Sequence, residues 1–309
     1  MRDFLFSYDD ICLHPKYSEL TTRSEADTSF IFLGRKFKLP VVPANMQDVI
    51  DLSIAEWMAQ NGYFYIMHRF GDIRKYGVYP ENSSISVGVK DEDKKYLYDF
   101  GNGLPSFVTI DVAHAHHSNV KDMVKYIRND LEDTTKLIAG NVATTDGYKF
   151  LCDLGVDAVK VGIGGGSICS TRYKTGFHIP TAYSVYECAK LGLDVPIIAD
   201  GGATHFGDVA KALVLGATMV MSGRWFAECI DSPAKIRNGK KIYRGSTSFE
   251  SKGYNKHIEG HTLEITEGCT YSERLEEIQQ ALQSSISYGG GIDLSCFNNV
   301  EWDRIYPHH

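Results

Sequence analysis

From its N-terminus onward the chain repeats one pattern, a short apolar run rich in Val, Ile or aromatic residues that ends in small or polar ones. The runs are LPVVPANM (39–46), GYFYIM (62–67), SSISVGV (83–89), SFVTIDVA (106–113), TKLIAGNV (135–142), AVKVGIG (158–164), PIIADGG (196–202) and TMVMSG (218–223). Continuous rather than alternating hydrophobicity marks strands buried on both faces, as in parallel sheets. Between most of them the period changes to that of a helix. DLSIAEWMAQNG (51–62) places Leu52, Ile54, Ala55, Trp57 and Met58 near one face and stops at Asn-Gly. HSNVKDMVKYIRND, TTDGYKFLCDLG, TAYSVYECAKLG and HFGDVAKALVLG behave alike, and the last three close on glycine, a C-cap signal. GDIRKYGVYPEN (71–82), with two glycines and a proline, makes a poor helix and predicts a reduced second unit. Strands alternating with helices over this length predict an α/β fold, a single (β/α)8 barrel of the TIM type.

The chain of 309 residues then reads as one domain: a lead-in (1–38), the barrel (39–231), and a flap with a C-terminal helix (232–309) carrying SERLEEIQQALQSSIS. In such barrels the strand C-termini form the active-site face. Here those ends are Asn45-Met46, Met67-His68-Arg69, Val89-Lys90, Asp111 through His117, Asn141, Gly164 through Cys169, Asp200-Gly201-Gly202 and Ser222-Gly223-Arg224. The predicted rim is polar.

Composition narrows the class. At 43% hydrophobic and 23% charged, the chain resembles ordinary soluble domains. A net charge of −7 argues against a general nucleic-acid or membrane-surface binder, while leaving room for a local pocket for one anion. No apolar run is long enough to span a bilayer, and MRDFLFSYDD meets two acids before a signal-like core could form. Seven cysteines from Cys12 to Cys296, with no C-x-x-C, fit a reduced, cytoplasmic protein.

The rim suggests its own chemistry. Loops after the last two barrel strands commonly hold phosphate, and both carry glycine here, in DGGATHFGD (200–208) and SGR (222–224). Glycine lets backbone N–H groups approach phosphate oxygens, though the same glycines could simply cap helices and make turns. Asp200 would repel a phosphate but suits sugar hydroxyls. In VGIGGGSICSTR (161–172), Cys169 closes a glycine loop beside these, with Arg172 three residues on. That placement suits a thiol nucleophile attacking electron-poor carbon in a substrate laid against the backbone. The alternative, a small buried hydrophobe, is assigned to the other cysteines. His114, His116 and His117 invite a metal reading, but a hydrolytic centre needs further ligands, and the next two strand ends offer Asn141 and Gly164. These histidines are expected to line a cofactor channel or to cap structure.

The segments YDDICLHP (8–15), RSEADTS (23–29), GRKFKLPVVPANM (34–46), NGYFYIMHRF (61–70) and IAGNV (138–142) resemble the IMP dehydrogenase/GMP reductase family. So do VGIGGGSICSTRYKTG (161–176), IADGG (198–202), GDVAKAL (207–213), YRGSTS (243–248) and LQSSISYGGG (282–291), in order along nearly the whole chain. The resemblance implies that Cys169 attacks C2 of a bound purine nucleoside monophosphate, with Thr171 and Glu259 handling proton transfer. It implies a nucleotide site of Met46, Ser167, Asp200, Gly201, Gly202, Ser222, Gly223, Arg224, Gly245, Ser246 and Thr247, in which Asp200 holds the ribose. A nicotinamide side would include Arg69, Asp111, Val112, Ala113, Asn141 and Lys174, and a monovalent cation, K+, would sit on carbonyls of Gly164, Gly166 and Cys169. A homotetramer is implied as well.

Three features resemble the reductase branch of the family: only 68–82 where dehydrogenases carry a regulatory insert, no arginine between Ser246 and Thr262, and KTG at 174–176. That branch implies NADPH-dependent conversion of GMP to IMP and ammonia. Departures from the family pattern cluster about the substrate: Gly165 for proline, Ser170 for threonine, Ser246 for methionine, Arg224-Trp225 for small and aliphatic residues, and HIPTAY (178–183) without a glutamine. They keep open a GMP variant such as dGMP. A dehydrogenase without its regulatory domain and a non-catalytic purine nucleotide sensor are the other readings.

Overall fold

A computed structural model describes residues 4–70, 83–100, 104–131, 135–245, 260–266 and 268–305. After β1 (Ile11–Leu13), β2 (Phe30–Phe32) and β3 (Arg35–Phe37), the chain enters its main sheet. That sheet holds β4 (Val41–Pro43), β5 (Ser84–Val87), β6 (Phe107–Asp111), β7 (Lys136–Val142), β8 (Ala158–Val161), β9 (Ile197–Asp200) and β10 (Met219–Ser222). All pairs are parallel, in the order β4-β10-β9-β8-β7-β6-β5. First and last strands pair through β10 and β4, so the sheet curls toward closure.

The strand predicted at 62–67 is a correction. Tyr63 to Met67 form no ladder; one backbone hydrogen bond, Met67 N–H to Ser84 C=O at 3.0 Å, ties the segment to β5. Side-chain packing places it instead. Phe64 meets Phe32, Phe37 and Phe107 at ring-centroid distances of 5.1 to 5.2 Å, and Ile66 is fully buried beside them. Hydrophobic content thus marked a buried segment correctly, while its pairing is not regular. The reduced unit expected at 71–82 lies outside the described residues.

The helices are α1 (Leu52–Gln60), α2 (Asp91–Tyr98), α3 (Ser118–Lys125), α4 (Thr145–Asp153), α5 (Thr171–Thr175), α6 (Thr181–Ala189), α7 (Gly207–Val214), α8 (Arg224–Ala227) and α9 (Tyr271–Tyr288). Their starts follow the sequence: Asp51 accepts from Ile54 N–H, Thr144 from Gly147 N–H, and Thr270 from Glu273 N–H. In α9 the residues Tyr271, Leu275, Ile278, Leu282 and Ile286 make one buried stripe, each worth about 2 kcal/mol of burial.

Two-residue periodicity sorts the strands. Val42, Phe107, Ile138, Ala158, Ile198, Met219 and Met221 point inward and, with Phe32 and Phe37 of the β2–β3 hairpin, form an apolar plug. The same parity carries Asp111, Gly140, Lys160 and Asp200 to the layer above it. An apolar floor therefore lies beneath a polar one, at the strand C-termini.

Beyond the barrel, β11 (Ile236–Arg237), β12 (Lys240–Arg244) and β13 (Thr262–Ile265) form an antiparallel flap. Its base is pinned where Arg244 N–H and Nε each donate to Asp48 Oδ2 at 2.8 Å, and Asp48 is buried. Finally β14 (Trp302–Arg304) returns to pair with β1.

Candidate active site

Three cavities meet at the strand C-termini. The first, about 490 Å³, is lined by Gly165, Gly166, Ser167, the 201–206 loop, Ser222 to Trp225, Glu228, Tyr243 and Arg274. The second, about 210 Å³, holds Met46, Arg69, Asp111, Asn141, Lys160, Cys169, Thr171 and Asp200. The third, about 630 Å³ and largely apolar, is walled by His114, His116, Val142, Ile163, Phe177 and His178. Ala113, Ile163 and Thr171 belong to both the second and third cavities. The glycine loop runs from Gly164 in the second to Gly165 in the first, and Asp200-Gly201 crosses the same boundary. The result is one groove: glycine-rich at one end, carboxylates and thiol in the middle, apolar at the other end.

At the first end the backbone shapes the space. Among the described residues, the N–H groups of Gly202 and Gly223 have no acceptor within the chain, which leaves them for a ligand's oxygens. Thr204 and His205 N–H are different; both donate to the buried Asp208 at 2.9 Å and so hold the loop. A Cβ on Gly223 would stand 2.0 Å from the Tyr243 hydroxyl, so glycine is required there. Arg224 Nε donates to Glu228 at 2.9 Å, and Arg274 approaches the same carboxylate at 4.0 Å. The glycine at 165 also has a cause: a Cβ there would meet Thr181 Oγ1 at 2.6 Å.

In the middle, the Cys169 thiol donates to Thr171 Oγ1 at 3.2 Å. Its loop is closed by Cys169 N–H to Gly166 C=O at 3.0 Å and carries a backbone bridge to Gly260 of the flap. Asp200 accepts at Oδ2 from Asn141 Nδ2 at 2.8 Å and from Lys160 Nζ at 3.2 Å. Lys160 is 2% exposed and also donates to Asp111 Oδ1 at 2.7 Å. Burial alone would lower the Lys160 pKa, but the two carboxylates reverse this and hold it above the usual lysine range. Burial likewise opposes the Asp111 charge, and Lys160 overrides it, holding the carboxyl below its usual range.

Most expected residues converge. Ser167, Gly201, Gly202, Ser222, Gly223 and Arg224 line the first cavity; Met46, Arg69, Asp111, Val112, Ala113, Asn141, Asp200, Cys169 and Thr171 line the second. Gly245 lies at the flap, donating to His261 C=O, with no room for a Cβ against Gly260. Glu259, Ser246 and Thr247 lie outside the described residues. Two residues stand apart from the groove. Lys174 is exposed and lines none of the three cavities, because it follows α5 outward. Arg172 stacks over the Tyr173 ring at 4.5 Å and donates to its hydroxyl instead of facing the thiol. The Gly166 carbonyl, expected at a cation, accepts from Cys169 N–H at 3.0 Å.

The three histidines separate: His117 Nδ1 accepts from Asn119 N–H at the start of α3, while His114 and His116 line the apolar cavity. Among the described residues no cluster of three metal-ligating side chains exists, and no helix is long and apolar enough to cross a membrane. Lys160 was missed. Its signal was present, since in AVKVG the lysine shares the inward parity of Ala158, an improbable place for a charge without partners.

Comparison with known proteins agrees with this site. A family model described as "IMP dehydrogenase / GMP reductase domain" matches residues 5–77 and 82–301. A protein named GMP reductase from Streptococcus pyogenes serotype M4 (strain MGAS10750) is 44% identical over 310 residues, covering 96% of this chain and 94% of its own. One of the same name from serotype M3 (strain ATCC BAA-595 / MGAS315) matches at the same identity and coverage. A match so long, centred on a cysteine loop set beside a glycine-lined cavity, leaves one assignment: the chain belongs to the IMP dehydrogenase/GMP reductase family.

Proposed function

We propose that the protein is a GMP reductase, carrying out NADPH-dependent reductive deamination of GMP to IMP and ammonia. One observation carries the reading: the Cys169–Thr171 pair sits where the polar and apolar cavities share residues, so a purine and a nicotinamide can meet at the sulfur. The nucleotide's phosphate lies at Gly202 and Gly223, with Arg224 beside it. Both interior bonds to Asp200 go to Oδ2, which leaves Oδ1 for ribose hydroxyls. The apolar cavity, walled by His114, Ile163 and Phe177, fits a flat heteroaromatic ring and its sugar.

Chemistry then follows from the residues. Cys169 sulfur bonds to C2 of the purine as the C2–N3 π pair moves onto N3, to return when the amino group departs. The thiol proton passes through the Thr171 hydroxyl, 3.2 Å from the sulfur, to the Glu259 carboxylate. Thr171, with Glu259 as its partner, returns a proton to the amino group, which leaves as ammonia with the C2–N bonding pair. A reduced nicotinamide supplies hydride to C2 when bound. The C2–S bond breaks, its electron pair returns to sulfur, and IMP is released. Asn141 keeps Asp200 oriented throughout.

A homotetramer belongs to the same reading, and light scattering tests it. Activity is tested by absorbance of the reduced nicotinamide with GMP and NADPH. Loss of signal that needs GMP and vanishes in Cys169→Ala is the expected result. Turnover of dGMP exceeding that of GMP moves the assignment to a deoxynucleotide, and oxidation of IMP by NAD+ moves it to a dehydrogenase. Binding of GMP with no turnover on any of these leaves a sensor.

A further inference from the structure

We infer that Lys160 is a positioning residue that couples the two halves of the groove, so that a nucleotide at Asp200 and a nicotinamide at Asp111 sense each other through one buried ammonium. The inference rests on the reductase reading and adds a residue to it.

The geometry is that of a three-way junction. An ammonium has three hydrogens, and Lys160 directs them to Asp111 Oδ1 at 2.7 Å, Asp200 Oδ2 at 3.2 Å and Asn45 Oδ1 at 3.4 Å. Those partners sit on β6, on β9 and just after β4, so one side chain joins three places around the barrel. Asp111 leads through Val112 and Ala113 into the apolar cavity, whereas Asp200 leads through Gly201 and Gly202 into the phosphate end. A Cβ on Gly140 would stand 2.4 Å from Lys160 Cβ, so the strand beside it is cut away to seat the stem.

Two carboxylates facing one cavity repel each other, and the ammonium between them offsets that repulsion. The cation is shared unequally, closer to Asp111. A ligand that draws Asp200 toward its hydroxyls loosens the longer bond, and the ammonium then settles further onto Asp111, fixing that carboxylate for the second ligand. Linkage makes the effect reciprocal.

Binding is measured by calorimetry in the Cys169→Ala protein, which holds GMP and NADP+ without turnover. The expected result is that NADP+ changes GMP affinity about tenfold, within the range of allosteric couplings, and that Lys160→Met brings the factor to about one. Asp111→Asn is the second variant, with a milder change of shape. It is expected to shift GMP affinity about threefold or more although Asp111 lies toward the other half, and to have no such effect when Lys160 is already methionine. A coupling factor retained in Lys160→Met overturns the inference, because a merely structural lysine would lower stability and leave the ratio alone. Should Lys160→Met not fold, unchanged GMP affinity in Asp111→Asn overturns it. Failure of the Cys169→Ala protein to bind GMP overturns the reductase reading, and the inference with it.

Discussion

Gly162 is where a single methyl group should do the most damage. Its φ is +150°, and an added Cβ would lie 2.0 Å from the Asp200 carbonyl oxygen and 3.3 Å from Thr181 Oγ1. To restore ordinary contact the Asp200 carbonyl must retreat by more than about 1 Å. It cannot do so freely, because β9 is paired on both sides, to β8 and β10. Overpacking against fixed backbone costs about 1–3 kcal/mol, and the positive φ adds about 1–3 kcal/mol more. At about 2–4 °C per kcal/mol, Gly162→Ala should melt at least about 4 °C below the wild type. Activity should suffer more than stability, because the displaced residue is the expected ribose ligand and a shift near 1 Å can cost about a hundredfold. Gly155→Ala is the control, with φ +80° and nothing within 4 Å, so only the conformational term of about 1–2 kcal/mol remains. Thermal melts and kcat/KM on both variants decide. If Gly162→Ala keeps kcat/KM within about threefold, or melts with Gly155→Ala, the clash argument is wrong.

Other outcomes follow from the same contacts. Asp48→Ala removes the buried carboxylate that pairs with Arg244 at the flap base and should cost about 3–5 kcal/mol in equilibrium denaturation, with a raised KM because β12 also carries Tyr243. Folding lowers the Asp111 pKa, so its contribution is present above the unfolded carboxylate value of about 3.9 and disappears as pH falls through the folded value. Acid unfolding of Asp111→Asn should therefore be less steep in pH than that of the wild type, and superimposable curves would count against the Lys160 pairing. Burial pushes the Cys188 and Cys229 thiols up to about 12, so iodoacetamide near neutral pH should modify exposed Cys12 and spare those two. Mass spectrometry should also show Cys169 labelled, and protected by GMP.

How much of this was readable beforehand divides along physical lines. Continuous apolar runs located every barrel strand, because burial on both faces leaves no other composition. The exception, 62–67, is instructive: hydrophobicity reports burial, and Phe64 and Ile66 are buried, but it does not report whether backbone groups pair in register. Helix ends at Asn61, Gly155, Gly192 and Gly216 were legible from local chemistry. At the site, Cys169, Asp200 and the glycines were legible because their loops are local in sequence. Lys160 was not found, since its meaning depends on Asp111 and Asp200, each about forty or more positions away. Arg172 misled for a related reason. Nearness to Cys169 in sequence says nothing about direction, and the ring of Tyr173 claims it first.

The two anchors of the flap have a consequence for how the protein tolerates change. Arg244 is fastened to Asp48 at one end, and Gly260 is bridged to Cys169 at the other, with Gly245 and His261 hydrogen-bonded between them. The entrance and exit of segment 246–259 are thus clamped side by side by groups that belong to the barrel. Closing a loop on such a clamp costs little extra as it lengthens, about 0.6 kcal/mol for each doubling. Insertions and substitutions within 246–259 should therefore leave the stability of the barrel nearly unchanged, because both flanks are held by Asp48 and Cys169.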